Sequence, residues 1–220
     1  MASLPKSTVG VLVSGGLDSA ILVSYLLKQG EPVQPFYVES GLRWQETELA
    51  ALRDYLAAVA RPELAELLVL ELPLQDLYGG HWSLMGDVPG AATADDAVYL
   101  PGRNLLLAIK PALWCQMHGI GRLALGVLES NPFDDASEPF FAALENTLAR
   151  LGQPALKIVR PFGGMHKREV MEIGRNYPLG LSFSCISPVG RLHCGQCNKC
   201  AERKAAFKMV GMVDPTVYAE

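Results

Sequence analysis

Residues 14–19 read Ser-Gly-Gly-Leu-Asp-Ser, and no other six residues of the chain concentrate as much chemistry. Gly15 and Gly16 can take backbone angles closed to other residues, and they put no side chain between the backbone and a ligand. Ser14 and Ser19 add hydroxyl groups. An apolar run precedes the loop and an amphipathic stretch, 20–28, follows it, so the loop joins a strand to a helix. A helix start offers unpaired N–H groups and the positive end of its dipole. Such a crossing is a nest for a polyphosphate. The common phosphate loop, Gly-x4-Gly-Lys-Ser/Thr, does not occur in the chain.

A second cluster is Cys185, Cys194, Cys197 and Cys200, spaced Cys-x8-Cys-x2-Cys-x2-Cys. Zinc takes four soft ligands in a tetrahedron, and closely spaced cysteines in turns can supply them. Gly195 lets the chain fold back between ligands, and Lys199, Arg203 and Lys204 stand close enough in sequence to offset thiolate charge. Four thiolates leave no open position, so structural Zn²⁺ is the reading adopted. A redox pair, an iron–sulfur cluster, or a site with His193 in place of one thiolate would use the same residues. Cys115, alone on an apolar helix, reads as core.

The elements that must position these groups alternate. Strands are predicted at 9–13, 33–38, 67–72, 123–128 and 157–159, and helices at 19–28, 46–59, 104–118, 139–151, 167–176 and 201–210. Pro111 predicts a kink or break in its helix. Residues 73–100 show no periodicity and read as a long functional or mobile loop, and 184–200 as a cysteine-rich loop. Strands separated by helices imply an α/β fold, a Rossmann-like parallel sheet with helices on both faces and ligands beyond the carboxyl ends of the strands. Gly119-Ile-Gly121-Arg-Leu-Ala124 fits a loose dinucleotide pattern, but it leaves a helix and enters a strand, so it reads as a turn.

With 220 residues, half of them hydrophobic, one domain over 1–220 is expected, with a zinc-binding segment at 184–204 inside it. A net charge of −4 with scattered lysine and arginine argues against bulk electrostatic binding of nucleic acid. The amino end lacks an apolar signal core and no stretch is long enough to span a bilayer, so a cytoplasmic location without membrane attachment is expected. In that compartment thiols stay reduced, which favours metal over disulfides.

The 14–19 loop resembles the PP-loop of the ATP pyrophosphatases, the adenine nucleotide alpha hydrolase-like enzymes that cleave ATP between its α and β phosphates. With the cysteine cluster it resembles, more closely, the 7-cyano-7-deazaguanine synthase family of the queuosine pathway. Leu100-Pro-Gly-Arg-Asn104, Gly41-Leu-Arg43, Met165-His-Lys167-Arg-Glu169-Val and Cys194-Gly-x-Cys197-x-x-Cys200 with Arg203 fall in register with that family's motifs. The resemblance implies an ATP-dependent carbon–nitrogen ligase. It would adenylate 7-carboxy-7-deazaguanine, let ammonia attack, and activate and dehydrate the resulting amide, with release of pyrophosphate. It implies ATP at Leu12, Val13, Ser14, Gly15, Gly16, Leu17, Asp18, Ser19, Ala20 and Ile21, with Phe36, Tyr37 and Val38 beside the adenine. Asp18 would help place Mg²⁺, while Arg43, Arg103 and Lys167 would hold phosphate or carboxylate charge. Arg103 and Asn104 would meet the acceptor. A homodimer is also implied.

Two segments depart from the family pattern. After strand two, Phe-Asp-Tyr-Gly-Gln-Arg-His becomes Tyr37-Val-Glu-Ser-Gly41-Leu-Arg43-Trp44, and in 128–138 the usual tyrosines and arginine are missing. ATP-dependent activation is therefore better supported than the identity of the acceptor. A tRNA base to be thiolated, or another acid to be amidated, is the alternative. Arg43, Arg103 and Lys167 also read as surface charges and Asn104 as a helix cap. His81, His118, His166 and His193 read as structural or exposed, and Asp95-Asp96 and Asp134-Asp135 as solvated loop charges.

Overall fold

A computed structural model describes residues 7–219; residues 1–6, residue 220 and the side chain of Asp95 lie outside the described residues. Five parallel strands, β1 (Val9–Leu12), β2 (Val33–Glu39), β3 (Leu68–Glu71), β4 (Arg122–Leu125) and β5 (Lys157–Val159), form one sheet in the order β3-β2-β1-β4-β5. Val9 stands opposite both Val33 and Arg122, which sets the register of the three central strands. β1 and β2 are buried almost throughout, as expected of strands covered on both faces.

The connections are α1 (Leu17–Lys28), α2 (Gln45–Ala58), the single turn α3 (Gln75–Tyr78), α4 (Arg103–Met117), α5 (Glu138–Leu148), α6 (Lys167–Ile173) and α7 (Asn198–Met209). On one face Val9, Val11, Val13 and Tyr37 pack with Ile21, Leu52, Tyr55, Met171 and Phe207, from α1, α2, α6 and α7. On the other, Phe36, Leu123 and Leu125 pack with Ala108, Ala112, Phe141 and Leu144, from α4 and α5. The alternation of Phe36 and Tyr37 between faces is the period-two pattern of a strand. At Gly10 an added Cβ would lie 2.7 Å from Cys115 Sγ, so the missing side chain is what lets α4 close on β1. Cys115 is fully buried, and that burial pushes its thiol up to about 12.

The structure differs from the sequence expectations at several points. α4 runs through Pro111 without interruption. By contrast, the turn expected at 119–124 is there: Gly119 has φ +73° and lies between α4 and β4. β4 ends at Leu125, three residues early, and α6 at Ile173. α7 starts at Asn198, so Cys200 stands in its first turn rather than in a loop. Residues 73–100 are tied down by their polar groups. Asn198 N donates to Pro89 O at 3.0 Å, Ala91 N to Gln196 O at 2.9 Å, and Asn198 Nδ2 to Thr93 O at 2.9 Å. Trp82 of this segment stacks on Trp44, with ring centroids 5.8 Å apart. Among the described residues, no helix is long and apolar enough to cross a membrane.

Candidate active site

A cavity of about 340 Å³ opens at the carboxyl ends of β1, β2 and β4. It includes the β1–β4 boundary, where the strand order reverses and open sheets bind ligands. Its floor is the β1–α1 crossing, with Leu12, Val13, Ser14, Gly16, Leu17, Asp18 and Ser19 in the wall. Gly15 has φ +76°, and its carbonyl takes the amide of Phe183 at 2.7 Å. Among the described residues, the amides of Gly15, Gly16, Leu17, Asp18 and Ser19 have no hydrogen-bond partner. Ser19 Oγ accepts from Ser14 N at 3.2 Å and donates to Gly16 O at 3.2 Å, so the hydroxyl brackets the crossing. Gly126, just after β4, leaves little room for a side chain: a Cβ would stand 3.2 Å from the backbone of Asp18 and Ser19.

Several expected site residues meet here. Lys167, the first residue of α6, holds both carboxylate oxygens of Asp18, at 2.8 and 2.9 Å. Tyr37, Val38, Arg103 and Asn104 also line the cavity. The Arg103 guanidinium has no hydrogen-bond or ion-pair partner among the described residues, and its Nε is buried. Asn104 is in the first turn of α4 behind a left-handed Gly102, and does not act as its cap. Its backbone amide and Nδ2 both donate to Asp135, at 3.2 and 3.0 Å.

The structure does not bring the others to the cavity wall. Ala20 and Ile21 are core residues on the buried side of α1, and Phe36 is directed to the opposite face of the sheet, edge-on to Trp114. Arg43 is exposed and fastens the 73–100 segment: its amide donates to Ser83 O at 3.0 Å and its guanidinium to Gly86 O at 2.5 Å. Asp135, read from sequence as a solvated charge, is half-buried in the cavity wall. Trp44, Trp82, Tyr99 and Phe133 line the same side, and the last two rings lie 4.9 Å apart. Sequence reasoning missed all of these. Trp82 and Tyr99 stand in a stretch without periodicity, and nothing local marks them.

Glu48 was also missed. It lies on α2, lines the cavity, and accepts the Tyr37 hydroxyl at 2.7 Å. Burial pushes its carboxyl up to about 7, although Tyr37 and Arg103 both favour the charged form. Burial and the neighbouring Glu48 drive the Tyr37 phenol well above its usual range. Across the cavity, Glu202 is held below its ordinary value by Lys199 and Lys167, against the upward push of burial.

The four cysteine sulfurs beyond the cavity lie within 4.8 Å of one another, with Cys185–Cys197 and Cys194–Cys200 both at 3.9 Å. Tetrahedral thiolates at zinc's bond length of about 2.3 Å sit about 3.8 Å apart, so the set fits a bound metal ion. Backbone amides point at the sulfurs: Ser187 and Cys194 donate to Cys185, and Gln196 and Cys197 to Cys194, at 3.3–3.4 Å. Gly195, at φ +75°, makes the tight turn that aims the last two. His193 is not a fourth ligand, since its Nε2 accepts the Ser184 amide at 3.1 Å. Burial, then Arg203, lowers its imidazole to about 4 and keeps it neutral. Arg203 is fully buried. Its hydrogen bonds go to Ser182 Oγ, Leu179 O and Thr216 Oγ1, tying α7 to residues 179–182 and 216, while the Cys200 sulfur charge favours its charged form.

Comparison with known proteins agrees with this geometry. Residues 8–211 match the family model described as queuosine biosynthesis protein QueC. The 7-cyano-7-deazaguanine synthase of Methanothermobacter thermautotrophicus is 31% identical over 95% of this chain and 98% of its own. The 7-cyano-7-deazaguanine synthase 1 of Desulfitobacterium hafniense is 30% identical over 93% of each chain. A solved structure, described as a predicted subunit of tRNA methyltransferase from Methanocaldococcus jannaschii, superposes with a TM-score of 0.53 at 16% identity. It covers 97% of this chain and 92% of that one, and bears on the fold alone.

Proposed function

Since the chain belongs to the QueC family of queuosine-biosynthesis proteins, we propose that it is an ATP-dependent ligase that converts 7-carboxy-7-deazaguanine and ammonia into 7-cyano-7-deazaguanine. The observation that carries the ATP-dependent part is the row of unpartnered amides, Gly15 to Ser19, at the mouth of β1. A pyrophosphate seated there is stabilised as charge builds on it during cleavage at the α-phosphorus. A carboxylate is a poor electrophile, and joining it to AMP gives it a good leaving group. Asp18 offers a carboxylate to the Mg²⁺ that accompanies ATP, and a triphosphate gives Lys167 an alternative anionic partner. Arg103, a guanidinium with no hydrogen-bond or ion-pair partner among the described residues, suits the carboxylate of the acceptor or a phosphate. The four thiolates hold Zn²⁺ as a closed structural site, which lends order to the cavity wall but takes no part in the chemistry.

The altered segments 37–44 and 128–138 favour one second reading, the same activation applied to a different acid or to a tRNA base. Purified protein supplied with ATP, ammonia and 7-carboxy-7-deazaguanine tests the first reading. Formation of the nitrile with AMP and pyrophosphate is expected. Pyrophosphate release only when tRNA or another acid is added would replace it with the second.

A further inference from the structure

The proposed reaction strips a nitrogen of every hydrogen. Ammonia enters as ammonium at neutral pH, becomes an amide nitrogen and ends as a nitrile nitrogen. No electron is gained or lost: each hydrogen departs as a proton, and the carboxylate oxygens depart on the two AMP molecules. A site that does this repeatedly needs one group able to take a proton and return it to water between steps.

Among the described residues, four carboxylates line the cavity. Asp18 is held by Lys167, Glu202 by Lys199 at 2.6 Å, and Asp135 by two donors from Asn104. Among the described residues neither Glu48 nor Asp135 has a cation in contact, but Asn104 donates to both oxygens of Asp135, whereas the donor to Glu48 is the neutral Tyr37 phenol, at Oε2. Among the described residues, no histidine lines the cavity. Glu48 is also placed beside the diphosphate nest, since its backbone carbonyl and Cγ lie 3.3 and 3.6 Å from where a Cβ on Gly15 would stand.

We propose that Glu48 is the proton acceptor of the amidation and dehydration steps, a role that rests on the ligase reading above. When ammonia attacks the acyl adenylate, the new C–N bond forms, the C–O bond breaks with its electron pair leaving on AMP, and the surplus N–H proton passes to the Glu48 carboxylate. After the amide oxygen is adenylated in turn, the same carboxylate takes one of the two remaining N–H protons, returns it to water, and takes the last as the second C–O bond breaks with its electron pair leaving on AMP. A base is most effective when its pKa lies near the working pH, and burial holds Glu48 near 7. The groups that face it are Tyr37 from β2, Arg103 from α4, Trp44 at the head of its own helix and the backbone of Gly15. Of these, Tyr37 and Trp44 favour the charged form through neutral hydrogen bonds, Tyr37 the more strongly, so its removal raises the Glu48 value without deleting a charge.

The test compares wild type, E48Q and Y37F at a series of pH values, with ammonia and with hydroxylamine as nucleophile. Hydroxylamine is uncharged at neutral pH and stops at the hydroxamate, so it reports adenylation without dehydration. Nitrile formation is expected to fall at least about 100-fold in E48Q, with hydroxamate formation, which calls on the carboxylate once rather than three times, reduced less, and the acid limb of the pH profile lost. In Y37F that limb moves to higher pH. Nitrile formation by E48Q within about threefold of wild type, with an unchanged acid limb, overturns the inference and leaves the ligase reading standing. Failure of the wild-type chain to make nitrile overturns both.

Discussion

At the scale of single residues, the site divides into groups already satisfied by the protein and groups that are not. Arg103 is the clearest of the second kind, a cavity-lining guanidinium with an orphaned Nε. Arg103→Gln is therefore expected to leave the melting temperature unchanged within about 2 °C, because no hydrogen bond or ion pair to the described residues is lost. Ligand-dependent pyrophosphate release should fall at least about tenfold, and a loss of folding in place of activity would contradict this. Glu48 carries a stability signature as well. Its folded value lies above the unfolded one, so between about pH 4.5 and 7 the native chain binds more protons than the unfolded chain. Its contribution to stability therefore falls as pH rises through that window, and E48Q should flatten this part of the pH–stability curve. A wild-type minus E48Q difference that does not vary with pH would refute the assignment. The Ser14–Ser19 loop and the four cysteines were legible in the sequence because each is a short local pattern. Glu48, Trp82 and Asp135 were not, since only the fold brings them to the cavity.

At the scale of elements, the sheet and its crossovers follow from the alternation of apolar runs, and the strand order puts the loop at the reversal point. What the pattern could not show was the 73–100 segment, which has no period because its order comes from hydrogen bonds to 196–198 and from the Trp44–Trp82 stack. Nor could it show that α7 begins three residues early, a boundary set by the turn that presents Cys197 and Cys200. The packing of α4 on β1 offers a direct check at this scale. Gly10→Ala puts a methyl 2.7 Å from Cys115 Sγ and should cost about 1–3 kcal/mol. Adding Cys115→Ala should recover part of that loss, so the two effects are non-additive in a chemical denaturation cycle. Strict additivity would mean that helix and strand do not meet as described.

At the scale of the whole molecule, the cysteine segment proposed to hold zinc and the site share one apolar cluster, in which Trp44, Val98 and Phe183 pack with Cys185, Cys197 and Cys200. Removing the metal should therefore be felt in the cavity. Chelation, or Cys197→Ser, is expected to lower the melting temperature, expose 184–219 to proteolysis and change the fluorescence of the stacked tryptophans, whereas wild-type protein should carry one zinc per chain by elemental analysis. Unaltered tryptophan emission after complete metal loss would show the two regions to be independent. The central claim is that the β1–α1 crossing holds the departing pyrophosphate while an acid oxygen captures the α-phosphorus. Turnover of 7-carboxy-7-deazaguanine labelled with ¹⁸O in its carboxylate tests it most directly, by mass analysis of the phosphate-containing products. The account predicts the label in AMP and none in pyrophosphate, and label in orthophosphate, or in no product of ATP at all, would contradict it.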